Sequence, residues 1–169
     1  IREGSAAKNL DSLSSLLDSD PDKVMLCSDD LHPEMLEKGH INKLVARLVN
    51  QGYDLFNVLR AASVNATAHY DLKSGLLRVG DRADFIVVDN PRTMKVMQTW
   101  INGKMVFDGI RTLFGPGPVS KINNFNCNRI LPKEIAVRKD GAGMRVITAV
   151  NGDLITGSVV VDAGNEPLV

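Results

Sequence analysis

Two adjacent acids, Asp29 and Asp30, follow directly on the short apolar run of residues 24–27 (VMLC) and a single serine. A run of this kind predicts a strand that is apolar on both faces, as in a parallel sheet covered by helices. Folds with parallel strands place their functional side chains at the carboxyl ends of those strands. A carboxylate at that point could bind a divalent metal and accept a proton from water, or it could simply cap the next helix. The pattern leaves both interpretations open.

Two histidines lie close to this pair in the sequence, but their spacing does not indicate a metal site on one helix. His32 and His40 are eight residues apart, with Pro33 and Gly39 between them. A helical metal pair needs histidines four residues apart, so that both lie on one face. Each histidine alone is therefore interpreted as a cap or a hydrogen-bond partner.

Helices must hold this strand in place, and the sequence predicts three. Ser5 can cap a first helix over residues 6–17, which carries a stripe of leucines. A second helix follows Gly39, because its apolar residues recur at the spacing of one buried face. Asp54 can cap a third helix over residues 55–62. The strand between the first two helices contains Cys27, which is expected to be a small buried hydrophobe.

The sequence changes character after Gly75, where glycine and proline separate short β-branched runs. Residues 84–89 (DFIVVD) predict a strand, and Asn102-Gly103 predicts the turn of a β-hairpin. Residues 114–120 (FGPGPVS) predict a linker or wide loop. Further strands are expected at residues 134–139 (EIAVRK) and on both sides of a second Asn-Gly pair at 151–152. The chain therefore changes from mixed α/β to all β.

Composition excludes several classes of function. Twenty basic residues balance twenty acidic ones, so no basic patch predicts nucleic acid and no polybasic anchor predicts a membrane surface as partner. No apolar run approaches the roughly 20 residues that span a bilayer. The two cysteines form no CxxC motif, which favours free thiols in a reducing cytoplasm.

Two longer stretches resemble a known family. Residues 2–10 (REGSAAKNL) and 27–42 (CSDDLHPEMLEKGHIN) are similar to the adenine deaminases of the amidohydrolase superfamily. Residues 61–90 resemble the return from barrel to β domain that occurs across that superfamily. The resemblance implies an α/β fold, namely the last β/α units of a (β/α)₈ barrel followed by β-sandwich and C-terminal β-domain segments. It implies barrel over 1–72, sandwich strands over 73–118 and the start of the C-terminal β domain over 119–169.

The activity implied by this resemblance is hydrolytic deamination of adenine to hypoxanthine and ammonia, a step of purine salvage. The implied partners are adenine, water and further copies of the chain in a homo-oligomer. The implied cofactor is a divalent metal, Mn²⁺ or Fe²⁺, commonly as a pair. The alternatives are another amidohydrolase acting on a cyclic amide or amidine, and a β-rich structural or interaction module without catalysis.

The resemblance also implies roles for individual residues. Asp29 matches the aspartate that closes the last barrel strand, binds a metal and shuttles the proton from water to the leaving amine. Asp30 matches a paired acid, for which a hydrogen bond that steadies the loop is favoured over direct chemistry. The residues implied on the substrate side of the site are Arg2, Glu3, Ser5, Asp30 and His32.

The remaining ligands of such a site should lie outside these residues. The family takes them from an HxH motif on the first strand and from the middle strands, whereas His32, His40 and His69 form no HxH. A barrel needs about 250 residues, and this chain has 169 with no initial Met. The chain is therefore expected to be a fragment, inactive alone.

Overall fold

The computed structural model describes residues 1–137 and 143–162, which fall into two units, residues 1–115 and 116–169. The first unit begins with helices and ends in a three-stranded antiparallel sheet. The second contains one short helix and a two-stranded sheet. The architecture is therefore mixed α/β with small sheets. Within the described residues, no helix is long and apolar enough to cross a bilayer.

Short helices dominate the first 70 residues. They are α1 (Leu10–Leu13), α2 (Leu16–Ser19), a 3₁₀ turn (Pro21–Lys23), α3 (Pro33–Leu36), α4 (Ile41–Asn50), α5 (Leu55–Leu59), a π-helical turn (Arg60–Val64) and α6 (Asn65–His69). The longest, α4, is the second predicted helix. It buries Leu44, Val45 and Leu48 on one face, as the spacing of its apolar residues predicts.

The core of this unit forms where α4 meets its neighbours. Leu48 is fully buried and belongs to a cluster with Leu10, Leu17 and Val58 from α1, α2 and α5. Asp54 caps α5 as predicted, because its Oδ1 accepts hydrogen bonds from the backbone N–H groups of the second and third residues after it, each at 3.0 Å. Local capping and one apolar stripe thus position the helices whose core includes Val24 and Leu26.

The first predicted helix is divided. Residues 6–17 were expected to be continuous, but α1 starts only at Leu10 and ends before the buried Ser14. The Ser14 hydroxyl donates to the Asp11 carbonyl at 3.3 Å and accepts from the Tyr53 hydroxyl at 2.8 Å. A serine that bonds to nearby backbone competes with the regular helical ladder, and here it sits at the break between α1 and α2.

The apolar run is extended, but it is not buried on both faces as expected. Val24 and Leu26 point into the core at 5% and 6% exposure. Met25 is half-buried, and Cys27 is exposed, so the expectation of a buried cysteine is wrong. Alternate side chains of an extended segment point to opposite faces. Helices therefore cover only one face of this segment in the chain.

A three-stranded sheet closes the first unit. Strands β1 (Phe85–Val88), β2 (Val96–Ile101) and β3 (Lys104–Phe107) pair antiparallel in chain order. The predicted hairpin turn is present, with positive φ at both Asn102 (50°) and Gly103 (73°). This is the backbone sign pattern of a type I′ turn, which favours Asn-Gly.

The second unit contains α7 (Pro132–Ile135) and a hairpin of β4 (Gly143–Thr148) and β5 (Gly157–Asp162). The strand expected at 134–139 is wrong at its start, since residues 134–135 are helical, while 138–139 lie outside the described residues. Pro132 suits the first position of a helix. The carboxylate of Glu134 accepts the backbone N–H of Leu131 at 2.6 Å, which favours a helix start.

Candidate active site

Two extended segments lie side by side and end at the same edge. Residues 1–3 run parallel to residues 25–27 through an isolated bridge between Arg2 and Cys27. The backbone N–H of Cys27 donates to the Ile1 carbonyl at 2.9 Å, and that of Glu3 donates to the Cys27 carbonyl at 3.1 Å. The loops that leave these segments are consequently neighbours. The segments and loops together carry the residues that the sequence indicated, namely Arg2, Glu3, Ser5, Asp29, Asp30 and His32.

Asp29 stands at this edge with its carboxylate open to solvent. Its backbone is left-handed, with φ at 43°, a conformation that aspartate tolerates better than most residues. Its Oδ2 accepts a hydrogen bond from the Arg2 guanidinium at 3.1 Å. The side chains are 36% and 48% exposed respectively. An ion pair this exposed contributes little to stability, so its effect is to restrict where the carboxylate points.

Asp30 is turned away from Asp29 and bound by the neighbouring loop. Its Oδ2 accepts the backbone N–H of Ala6 at 3.1 Å, and its Oδ1 accepts that of Ala7 at 3.2 Å. Partial desolvation raises the pKa of Asp30, but these N–H groups stabilise the ionised form and hold the pKa below its ordinary value. Each oxygen thus has a backbone partner.

Ser5 and His32 add a third contact between the same loops. The Ser5 hydroxyl accepts the backbone N–H of His32 at 3.0 Å. The His32 ring itself is exposed, with Nδ1 at 3.4 Å from Glu34 Oε1. The second histidine is engaged nearby, since His40 Nε2 lies 2.8 Å from the Ser28 hydroxyl. Both histidines act here as hydrogen-bond partners.

Glu3 faces away from Arg2 and toward α4. Its Oε1 accepts a hydrogen bond from the Arg47 guanidinium at 3.0 Å, and its side chain is 19% exposed. Arg47 also contacts both carboxylate oxygens of Asp11 in α1 at 2.6 Å. Adjacent residues of an extended segment point to opposite faces. The structure therefore brings Arg2 to Asp29 and places Glu3 in an ion-pair network between helices.

The described residues have a limited capacity to bind metal. Among residues 1–137 and 143–162, no three His, Cys, Asp or Glu side chains are grouped so that they could hold a metal ion. Asp29 offers an exposed carboxylate, a ligand type that hard and borderline divalent cations accept. The described part of the chain can therefore contribute one ligand to a metal site, but it does not form a complete one.

A cavity of about 430 Å³ opens beside these loops on the side of α4. Neither Arg2 nor Asp29 lines it. Its charged lining consists of Lys8, Lys38 and Lys43 together with Glu3, and His40 lies at its wall. The lining therefore carries an excess of positive charge, and the Asp29 carboxylate lies at the open edge, outside this cavity.

Both aspartates were singled out from the sequence, but the backbone groups that bind Asp30 were not. The partners of Asp30 are backbone N–H groups of two alanines, and alanine carries no chemical signal in a sequence. Gly4, which precedes them, was not singled out either. A glycine immediately after a strand end was the only available hint, because glycine is common where another group approaches the backbone closely.

Comparison with known proteins gives an independent result. The family model described as "Amidohydrolase family" matches residues 2–106. An adenine deaminase of Salinibacter ruber is 48% identical over 161 residues, which is 95% of this chain and 30% of that relative. An adenine deaminase of Parabacteroides distasonis is 47% identical over 157 residues, covering 92% of this chain and 29% of the relative.

A third relative is similar to the same extent. An adenine deaminase of Methanosarcina acetivorans is 45% identical over 168 residues, which is 93% of this chain and 30% of that protein. The chain thus spans about 30% of the length of the curated relatives it matches. The family match includes both aspartates and all of the two parallel segments and the three-stranded sheet except Ile1 and Phe107. On this match the chain belongs to the amidohydrolase family.

Proposed function

We propose that this chain is part of a metal-dependent hydrolase that deaminates adenine to hypoxanthine and ammonia. The proposal rests on one observation above all: an exposed carboxylate, that of Asp29, stands at the end of an extended segment with Arg2 beside it. The names of relatives that are 40–48% identical over nearly the whole chain support adenine as the substrate.

A barrel end is the architecture we propose for the first part of the chain. The parallel pairing of residues 1–3 with 25–27, with α4 packed behind, is what two neighbouring strands of a (β/α)₈ barrel would show at their carboxyl ends. Residues 1–72 would then be the barrel portion, 73–118 strands of a β-sandwich and 119–169 the start of a C-terminal β domain.

The reaction needs a base near the attacking water and an acid near the leaving group. A divalent metal, which we propose to be Mn²⁺ or Fe²⁺ and commonly a pair, would lower the pKa of water when bound. Asp29, as one ligand, would accept the proton from water and return it to the departing amine. The C6–N bond of adenine breaks, a C6–O bond forms, and ammonia leaves.

The neighbouring residues would orient the reacting groups. Arg2 restricts the Asp29 carboxylate through its contact at 3.1 Å. Arg2, Glu3, Ser5, Asp30 and His32 remain our candidates for the substrate side of the site. Among them, Arg2 and His32 expose polar atoms at this edge, whereas Glu3 and Asp30 already have partners in the chain. Arg2 and His32 are therefore the first to test by substitution.

The direct test uses the full-length polypeptide that carries these 169 residues, purified and supplied with Mn²⁺. We expect adenine to be converted to hypoxanthine with one ammonia released per turnover, measured by chromatography and an ammonia assay. Asp29→Asn should abolish most of the activity at unchanged protein fold. Hydrolysis of other cyclic amides or amidines with adenine untouched would point to a different amidohydrolase, and no hydrolysis at all would contradict the proposal.

Self-association and a cytoplasmic location remain predictions. Light scattering on the full-length polypeptide should give a mass that is a multiple of the monomer. A monodisperse monomer at assay concentration would contradict the homo-oligomer.

A further inference from the structure

The loop after the first extended segment and the turn that carries Asp29 are joined by a compact set of contacts. The backbone N–H of Gly4 donates to the Ala7 carbonyl at 2.9 Å, which folds residues 4–7 into a tight turn. This turn presents the N–H groups of Ala6 and Ala7 to the two oxygens of Asp30, one to each. A carboxylate that accepts one N–H on each oxygen is fixed in orientation as well as in position.

Gly4 permits this approach by having no side chain. A Cβ at position 4 would lie 1.8 Å from Asp30 Oδ1 and 2.9 Å from the Asp30 backbone nitrogen. The φ of Gly4 is not positive, so the backbone conformation does not require glycine. Space for the Asp30 carboxylate is therefore the reason for glycine at this position.

Asp30 is the residue next to Asp29 in a tight turn. The backbone N–H of Leu31 donates to the Ser28 carbonyl at 3.1 Å, so Asp29 and Asp30 are the two central residues of that turn. Asp29 adopts φ of 43° there, which for a residue with a side chain persists when surrounding contacts enforce it. The two contacts of Asp30 tie this turn to the neighbouring loop directly beside Asp29.

We propose that Gly4 and Asp30 form a clasp that sets the direction of the Asp29 side chain, which makes both of them positioning residues for the chemistry of Asp29. This inference rests on the proposed function. The clasp links the ends of the two parallel segments, so that Arg2, two residues before Gly4, and Asp29, one residue before Asp30, face each other at 3.1 Å. Asp30 acts through its neighbour and need not touch substrate.

The kinetic test compares Gly4→Ala and Asp30→Asn in the full-length polypeptide with Mn²⁺ and adenine. A base displaced by about 1 Å can cost about 10²-fold in rate, so we expect kcat to fall about 10- to 10²-fold with KM changed less than about threefold. The controls are Gly115→Ala, where nothing lies within 4 Å of the added Cβ, and Asp54→Asn, which alters another aspartate that binds two backbone N–H groups. Both controls should retain kcat.

A double-substitution cycle separates the clasp from two unrelated losses. If Gly4 serves Asp30, then the combined variant Gly4→Ala with Asp30→Asn should lose hardly more kcat than the worse of those two single variants, because either change alone breaks the same contact. If the fold-loss of kcat in the combined variant equals the product of the two single losses, the residues act independently and the inference is overturned. A rise of KM at unchanged kcat would also overturn it.

A structural readout holds whether or not the polypeptide deaminates adenine. Crystal structures of Asp30→Asn and Gly4→Ala should show Asp29 outside the left-handed region and its carboxylate no longer within hydrogen-bond distance of Arg2. If the wild-type polypeptide does not deaminate adenine and its two variants still show these shifts, the proposed function fails and the clasp stands. If Asp29 stays in place in Asp30→Asn, which keeps the size of the side chain but can no longer accept both N–H groups, the clasp is refuted regardless of activity.

Discussion

Replacing Asp29 by asparagine should remove the chemistry and leave the fold intact. Asparagine keeps the size of the side chain and can still accept a hydrogen bond from Arg2, but it cannot take up a proton from water. Loss of general-base catalysis costs about 10²- to 10⁴-fold, which is about 2.7–5.4 kcal/mol of activation free energy at about 1.36 kcal/mol per decade.

The same substitution should hardly alter the free energy of unfolding. The Asp29–Arg2 pair is 36% and 48% exposed on its two sides, and pairs of this exposure contribute about 0–1 kcal/mol. The two effects therefore differ by several-fold, and both can be measured on one protein sample.

The assay is steady-state kinetics of adenine deamination with urea unfolding run in parallel, on Asp29→Asn and Asp30→Asn. Asp30→Asn should lose less activity than Asp29→Asn, because Asp30 positions its neighbour. A larger fall of kcat in Asp30→Asn would show that the roles of the pair are reversed. An Asp29→Asn variant that loses activity only because it unfolds would refute the assignment of Asp29 as a base.

Further predictions concern activity, packing and capping. The purified 169-residue chain should form no hypoxanthine from adenine even with added Mn²⁺, since its described residues hold no complete metal site; any turnover would contradict this. Leu48→Ala, at a fully buried position, should lower the free energy of unfolding by about 2–5 kcal/mol, whereas Leu36→Ala, at 44% exposure, should lower it far less by the same urea assay. Asp54→Ala should cost about 0.5–2 kcal/mol through loss of the α5 cap, and Asp54→Asn clearly less. In the isolated chain, hydrogen exchange should be fast at Leu26 and Cys27 relative to the β2–β3 hairpin, because one face of their segment is uncovered; strong protection in a monomer would disprove this.

The parts of the fold that local chemistry determines were predictable. The α4 stripe, the Asp54 cap and the Asn102-Gly103 turn each depend on residues within one or two turns of chain, and all three are present. The parts that depend on distant partners were not. The break at Ser14 involves Tyr53, which is 39 residues away. No local sequence pattern predicts that contact.

The same distinction applies to the candidate site. Asp29 could be singled out from its place after an apolar run, although the pattern left a metal ligand and a helix cap equally open and its catalytic role stays a prediction. The contacts of Asp30 could not be found, because its partners are backbone N–H groups more than 20 residues earlier. The exposure of Cys27 was mispredicted for a related reason: an apolar run indicates burial, but burial requires neighbouring elements on both faces.

The π-helical turn at Arg60–Val64 has a consequence for how sequences of this family should be aligned. Val58 and Thr67 are both buried, yet they are nine residues apart, which in a regular α-helix of 3.6 residues per turn puts them about 180° apart around the axis. A π turn holds about one residue more than an α turn and so removes about 100° of that difference. A one-residue alignment gap between positions 60 and 64 would therefore mark the loss of this π turn, with the flanking helices kept in the same rotational phase.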